Sequence, residues 1–210
     1  MKTILPLLLA LLLLAGCSSP EKPTVTLYLA MQRGDIEQIE RHIHWGSDMN
    51  RLNRDGYAPL HVAVMNGRTA IVRMLLKSGV EVDRPDKDGH TPLWHAVLNG
   101  RTIIADMLLK AGAKMDATAW LLDAAHRGVR KREAIDYLVR HGANLEQRDE
   151  KGDTPLLIAI RQGNHKLAKH LVNAGADVTV QDAEGKTALQ IANSMGLRDI
   201  ALLLKRNGAT

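Results

Sequence analysis

Six glycines recur along the chain at Gly34, Gly67, Gly100, Gly128, Gly163 and Gly196, separated by 33, 33, 28, 35 and 33 residues. A second series, Gly46, Gly79, Gly112, Gly142, Gly175 and Gly208, trails the first by twelve residues in every unit but the fourth. A sustained period near 33 argues against one closed core. A unit so short cannot bury its apolar face alone and must stack on its neighbours. The expected product is a solenoid, and solenoids present extended surfaces to partners rather than closed catalytic clefts.

The segments before the first-series glycines share a pattern. They read Ala58-Pro59-Leu60-His61-Val62-Ala63, Thr91-Pro92-Leu93-Trp94-His95-Ala96, Thr154-Pro155-Leu156-Leu157-Ile158-Ala159 and Thr187-Ala188-Leu189-Gln190-Ile191-Ala192. Threonine caps a helix start, and proline suits the first helical position, where its missing N–H is no loss. Beyond each glycine a second apolar stripe appears, as at Ile71, Leu75 and Leu76 or Ile104, Leu108 and Leu109. The second-series glycines fall where a helix ends in a left-handed residue. Asp55-Gly56, Asp88-Gly89 and Lys151-Gly152 mark turn tips between units.

Helix, tight turn, helix and projecting hairpin, with a Pro59-Leu60-His61 or Thr91-Pro92-Leu93 opening, resembles the ankyrin repeat. The resemblance covers about residues 24–210 as six repeats. It implies an all-α solenoid of about six helix-turn-helix repeats with short β-hairpin fingers. The first repeat keeps only Leu27, Ala30 and Gly34 of the pattern. Its Ile36, Ile39 and Ile43 are expected inward and Glu37, Gln38, Glu40 and Arg41 outward, as an end cap requires. Repeat four departs: Gly112 to Gly128 spans 16 residues where the equivalent intervals span 21, so five hairpin residues are missing. The following interval is two residues longer, which predicts a longer, basic second helix. Trp120 stands in the proline slot.

The N-terminus carries an address. Lys2 precedes an apolar run from Ile4 to Leu14, broken only by Pro6, and then Leu14-Ala15-Gly16-Cys17. The run is too short for a bilayer core, which needs about 20 residues. Those last four residues resemble the lipobox of bacterial lipoproteins. The resemblance implies a signal peptide at 1–16, a lipidated Cys17 and linker at 17–23, and the repeat domain at 24–210. Ser18 after the cysteine implies the outer membrane, with the domain facing the periplasm. Cys17 is the only cysteine, so no intramolecular disulfide is possible. The net charge of +5 favours acidic partners or anionic headgroups weakly. With no nucleic-acid motif and an export address, nucleic acid is not an expected partner.

Catalytic patterns are missing: there is no Gly-x-Ser-x-Gly elbow, no phosphate-cradling glycine loop and no His-Glu-x-x-His. The chain is therefore expected not to be an enzyme and to use no cofactor and no metal. His42 and His44, two apart on a helix, face different ways. The resemblance gives His61 a structural hydrogen-bonding role. The basic cluster Arg127, Arg130, Lys131 and Arg132 reads either as a solvated face balanced by Glu133 and Asp136 or as a contact for acidic groups.

Ankyrin proteins bind through finger tips and the open side of their first helices. That assigns Tyr57, Lys87, Asp88 and His90 on the fingers. On the helices it assigns Met65, Asn66, Leu98, Asn99, His126 and Arg127, with Trp120 beside the missing finger. Met65 and Leu98, apolar where exposure is expected, read as anchors ringed by charge. The implied partner is a protein, met by a monomer held to the membrane through its lipid. Ankyrin lipoproteins of this size resemble immunity proteins against type VI secreted antibacterial lipase toxins. A scaffold or helper for a periplasmic enzyme or envelope stress-defence complex is the alternative.

Overall fold

The computed structural model describes residues 19–210, so the signal-peptide and Cys17 expectations lie outside it. The glycine period becomes chain geometry directly. Every described glycine has φ between 61° and 102°, and no other described residue has positive φ. Each glycine of the two series thus closes a helix in a conformation that residues with a Cβ resist.

Among the described residues twelve helices result, in six antiparallel pairs. These are α1 (Leu27–Arg33) with α2 (Ile36–His44), α3 (Pro59–Met65) with α4 (Thr69–Lys77), and α5 (Pro92–Leu98) with α6 (Thr102–Lys110). Then follow α7 (Ala117–His126) with α8 (Arg132–Arg140), α9 (Pro155–Arg161) with α10 (His165–Asn173), and α11 (Ala188–Ser194) with α12 (Arg198–Arg206). Helices of seven to ten residues are too short to persist in water alone, so packing holds them. All seven residues of α5 are buried, and one continuous core runs from Leu27 to Ala209. A fragment from Glu21 onward therefore contains the whole core and all twelve helices. Local signals agree with the packing. Pro59, Pro92 and Pro155 each open a helix, and the Thr91, Thr154 and Thr187 hydroxyls accept from the amides of Trp94, Leu157 and Gln190. Among the described residues no helix is long and apolar enough to cross a membrane.

A second periodicity runs between repeats. The Arg68 guanidinium donates to the Met31 and Gln32 carbonyls at the end of α1, and Arg101 donates to that of Met65 at the end of α3. Lys131 Nζ reaches the Asn99 carbonyl at 2.8 Å, and the Asn164 amide reaches that of Gly128 at 3.1 Å. Helix C-terminal carbonyls carry partial negative charge and lack partners of their own, so this ladder stitches repeats two to five each to the preceding one.

Several expectations change. The α8 helix has nine residues like the other second helices. The extra residues instead lengthen its connector through Val129, Arg130 and Lys131. The α7 helix is the longer one, ten residues from Ala117, with the Asp116 carboxylate accepting from Ala119 N–H at 2.9 Å. Trp120 thus lies a turn inside the helix, half-buried against the core, and not at its first position. In the first repeat Ile36 is exposed and Gln38 is buried, its side-chain oxygen accepting from Thr24 N–H at 2.8 Å. The entry segment covers that end of the stack and reverses the expected faces of these two residues.

Candidate protein-binding surface

The fingers are turns held by a side chain. Asp86 Oδ1 accepts from the amides of Asp88 and His90, both at 2.9 Å, and Asp86 N–H donates to the His90 carbonyl at 2.9 Å. Asn53, Asp149 and Asp182 repeat this arrangement three residues before Gly56, Gly152 and Gly185. The Asn/Asp-x-x-Gly spacing is a local signal for such turns, because these side chains mimic a backbone acceptor. Strand pairing is minimal. Among the described residues the one β-bridge joins Gln181 and Thr187. Repeat four has no such turn, and Gly112 runs through Ala113–Asp116 straight into α7.

The missing finger explains a substitution in the helix pattern. His61 accepts from Ala58 N–H through Nδ1 at 3.2 Å and donates through Nε2 to the His90 carbonyl of the next finger at 3.1 Å. One repeat later no finger follows, so a histidine would find no such carbonyl. Trp94 fills the slot, and its indole N–H donates to Asp123 on α7 at 2.9 Å. His90 stacks on Trp94 with ring centres 3.8 Å apart. The Arg127 guanidinium lies 4.8 Å from the Trp94 ring and bonds to Asp123 at 2.8 Å and His90 Nε2 at 3.0 Å. The break in the finger row is thus closed by an aromatic–cation stack.

Beneath it, Asp86 Oδ2 accepts from His95 Nε2 at 2.7 Å. Burial works against the Asp86 charge, yet hydrogen bonds from His95 and the finger amides hold its carboxyl below the usual range. Burial also pushes His95 down, opposed by Asp86. His61, Asp86 and His95 bring ligand-capable atoms within 4.8 Å of one another, as do Asp86, Asp88 and His90. Both His61 nitrogens and both Asp86 oxygens are already engaged, so the first group acts as a buried hydrogen-bonded support.

Burial pushes the His61 imidazole down to about 4, against the pull of the His90 carbonyl. Its neutral Nδ1 must accept a hydrogen bond, which protonation forbids. The folded value lies below the unfolded one, so the stabilisation is complete above about pH 6.5 and is lost as pH falls toward about 4. Urea midpoints should therefore hold steady above neutrality and decline below it, for a loss near ~3 kcal/mol. His61→Gln, the residue at this slot in repeat six, should remove the larger share of that decline. An unchanged acid limb would contradict the assignment.

The structure gathers most of the sequence-assigned residues on one side. Asn66, Lys87, Asp88, Asn99, His126 and Arg127 are exposed, and Tyr57, Met65 and His90 are half-buried. Tyr57 packs edge-on to His95, and Lys87 N–H donates to the Gly56 carbonyl of the preceding finger at 3.2 Å. His126 Nε2 sits 3.2 Å from Asp149 on the next finger. Leu98 is the correction. It is 7% exposed, so it belongs to the core and is no open anchor. The lengthened connector of repeat four crosses the end of α5 beside it. There Lys131 reaches Asn99, and Glu133 comes within 3.3 Å of where a Gly100 side chain would begin. Arg161, which the repeat register places on the open side just before Gly163, bridges Asp153 at 2.8 Å and Asp182 at 2.7 Å through its guanidinium. It lines an open pocket of about 480 Å³ with His126 and Asp149.

Comparison with known proteins agrees with this geometry. A 48-residue stretch, 23% of this chain, is 40% identical to part of the potassium channel AKT1 of rice, Oryza sativa, and spans only 5% of that protein. Similar solved structures include the ankyrin repeat domain of Bcl-3 (25% identity, TM-score 0.70, 90% of this chain and 89% of that one). An ankyrin repeat domain from Acinetobacter baumannii is 28% identical, with TM-score 0.64 over 88% of this chain and 98% of its own. A chain from the complex of a predatory endopeptidase of Bdellovibrio bacteriovorus with an immunity protein is 26% identical, with TM-score 0.66, covering 88% and 99%. The family profile described as "Ankyrin repeats (3 copies)" matches residues 27–119 and 121–210. Six stacked helix pairs, turn-tipped fingers and this match together place the chain in the ankyrin-repeat family.

Proposed function

We propose that this chain is a membrane-anchored periplasmic immunity protein, which neutralises a secreted antibacterial toxin of the (phospho)lipase class by binding it. The observation that carries the reading is the structural likeness to a chain of a hydrolase–immunity protein complex, over 88% of this chain. That partner is an endopeptidase, so the likeness supports hydrolase neutralisation in general. The lipase assignment rests on the lipoprotein-like N-terminus, which would hold an inhibitor where a lipase meets its bilayer. The finger face supplies the contact. Exposed Arg127 on its aromatic stack bonds to His90 of the finger that carries the exposed Lys87 and Asp88, giving a rigid centre on a polar face. Such centres concentrate interface energy.

Deleting the gene should leave cells sensitive to toxin-delivering siblings while growth without competitors is unchanged. Restoring the full chain should restore survival. Restoring a Cys17→Ser form should protect poorly, since the inhibitor would no longer be held at the membrane. Equal survival of deleted and intact strains would contradict the proposal, and sensitivity to envelope stress without any toxin would favour the helper role instead.

A further inference from the structure

The charge of this protein is concentrated on one part of its surface. The second helices of repeats four to six, α8, α10 and α12, together with the connector 129–131, hold nine Lys and Arg against three Asp and Glu. That is a local net of +6, whereas the chain as a whole carries +5, so everything else sums to −1. The second helices of repeats one to three hold four against three. The excess is therefore specific to one half of one face.

Its centre is a depression between α8 and α10 of about 550 Å³. Arg130, Lys131, Arg132, Lys166, Lys169 and His170 line it, with Glu133 the one acidic residue. Arg132 is paired with Asp136 at 3.0 Å, and Lys131 is spent on the Asn99 carbonyl. Arg130, Lys166 and Lys169 are exposed, and none of the ion pairs among the described residues involves them. Like charges three residues apart on a helix, as at Lys166 and Lys169, oppose folding slightly, so the fold itself gains nothing from them. The lengthened connector of repeat four is what carries Arg130 and Lys131 into this group. Beside it, Leu202 is 49% exposed next to Lys169 and Arg206.

We infer that the outer helical face of repeats four to six is a docking surface for an anionic phospholipid bilayer. The chemistry separates this occupant from an acidic protein. Cores of protein interfaces are depleted in lysine and rich in aromatic residues. On this face Lys166, Lys169 and Lys205 are exposed and in no ion pair among the described residues, and it holds no tryptophan. Clusters of four to eight mobile cations suit a fluid layer of phosphate headgroups, each adding attraction that salt screens. The exposed Leu202 among cations matches the apolar component of interfacial binding. Contact through the second helices leaves the fingers and first helices free for a protein partner.

The fragment 21–210, which lacks any lipid, should be tested by flotation with vesicles of phosphatidylcholine alone and of phosphatidylcholine with about one-third phosphatidylglycerol. Binding should appear only with the anionic vesicles and fall steeply with added salt. The triple variant Arg130→Glu, Lys166→Glu, Lys169→Glu should reduce partitioning about 100-fold or more. A matched control, Arg73→Glu, Lys77→Glu, Lys110→Glu, changes net charge equally on exposed positions of repeats two and three and should bind nearly as well as the parent. Circular dichroism should show both variants folded. Equal loss in the two variants would reduce the effect to net charge and overturn the proposal. So would equal binding to neutral vesicles, or saturable capture of inorganic phosphate with no vesicle binding.

Discussion

Replacing Asp86 by alanine is expected to cost the solenoid about 3–5 kcal/mol, the largest single-residue loss on the finger side. Its side chain is 1% exposed and accepts three hydrogen bonds, from the amides of Asp88 and His90 and from His95. Alanine would leave the buried His95 donor and the part-buried finger amides without an acceptor, and the His90 carbonyl that receives His61 would lose its position. The damage falls mid-stack, where repeats depend on both neighbours for their core. Asp86→Asn should cost only about 1 kcal/mol, because an amide oxygen keeps both finger bonds and neutral His95 can change tautomer to accept from the new amide N–H. Asn53 holds the preceding finger in that way. Urea unfolding of the two variants measures the difference. Equal destabilisation by Ala and Asn would mean that buried charge, and not turn geometry, is what matters.

The second large effect concerns binding. Arg127→Ala should weaken binding of the protein partner by about 2 kcal/mol or more, roughly 30-fold, while shifting fold stability little. The guanidinium is held by Asp123, His90 and the Trp94 ring while about half of its side chain remains open. It therefore meets a partner with little ordering left to lose. Its ion pair with Asp123 is half-exposed and contributes little to folding. Asn99 and Lys87 lie at the rim and should change binding less. Changing Leu98, by contrast, would perturb the core first.

The architecture was legible because a stack repeats its constraints. Each glycine, proline and threonine signal recurs at one offset, and agreement across repeats outweighs the ambiguity of any single segment. The missing finger was legible as a count. What a count could not decide was where repeat four puts its inserted residues. Helix α8 buries Ala134, Ile135 and Leu138 in step with its neighbours, so the surplus goes into the connector. Deletion of the finger lets α7 begin a turn early at Asp116. Both outcomes follow from packing against adjacent repeats, which no local pattern reports. Leu98 packs into the core, which its slot in the repeat does not report. Met65, at the same slot one repeat earlier, remains half-open. The Asp86 support under the fingers was readable from the Asn/Asp-x-x-Gly spacing, but its link to His95 needed coordinates.

Binding titration of the fragment 21–210 against the hydrolytic toxin from which the intact gene protects in the competition assay tests the central claim most directly. A one-to-one complex is predicted, weakened by Arg127→Ala and untouched by Lys166→Glu with Lys169→Glu. No complex, or one indifferent to Arg127 and lost with the lysines, would contradict recognition through the fingers and first helices.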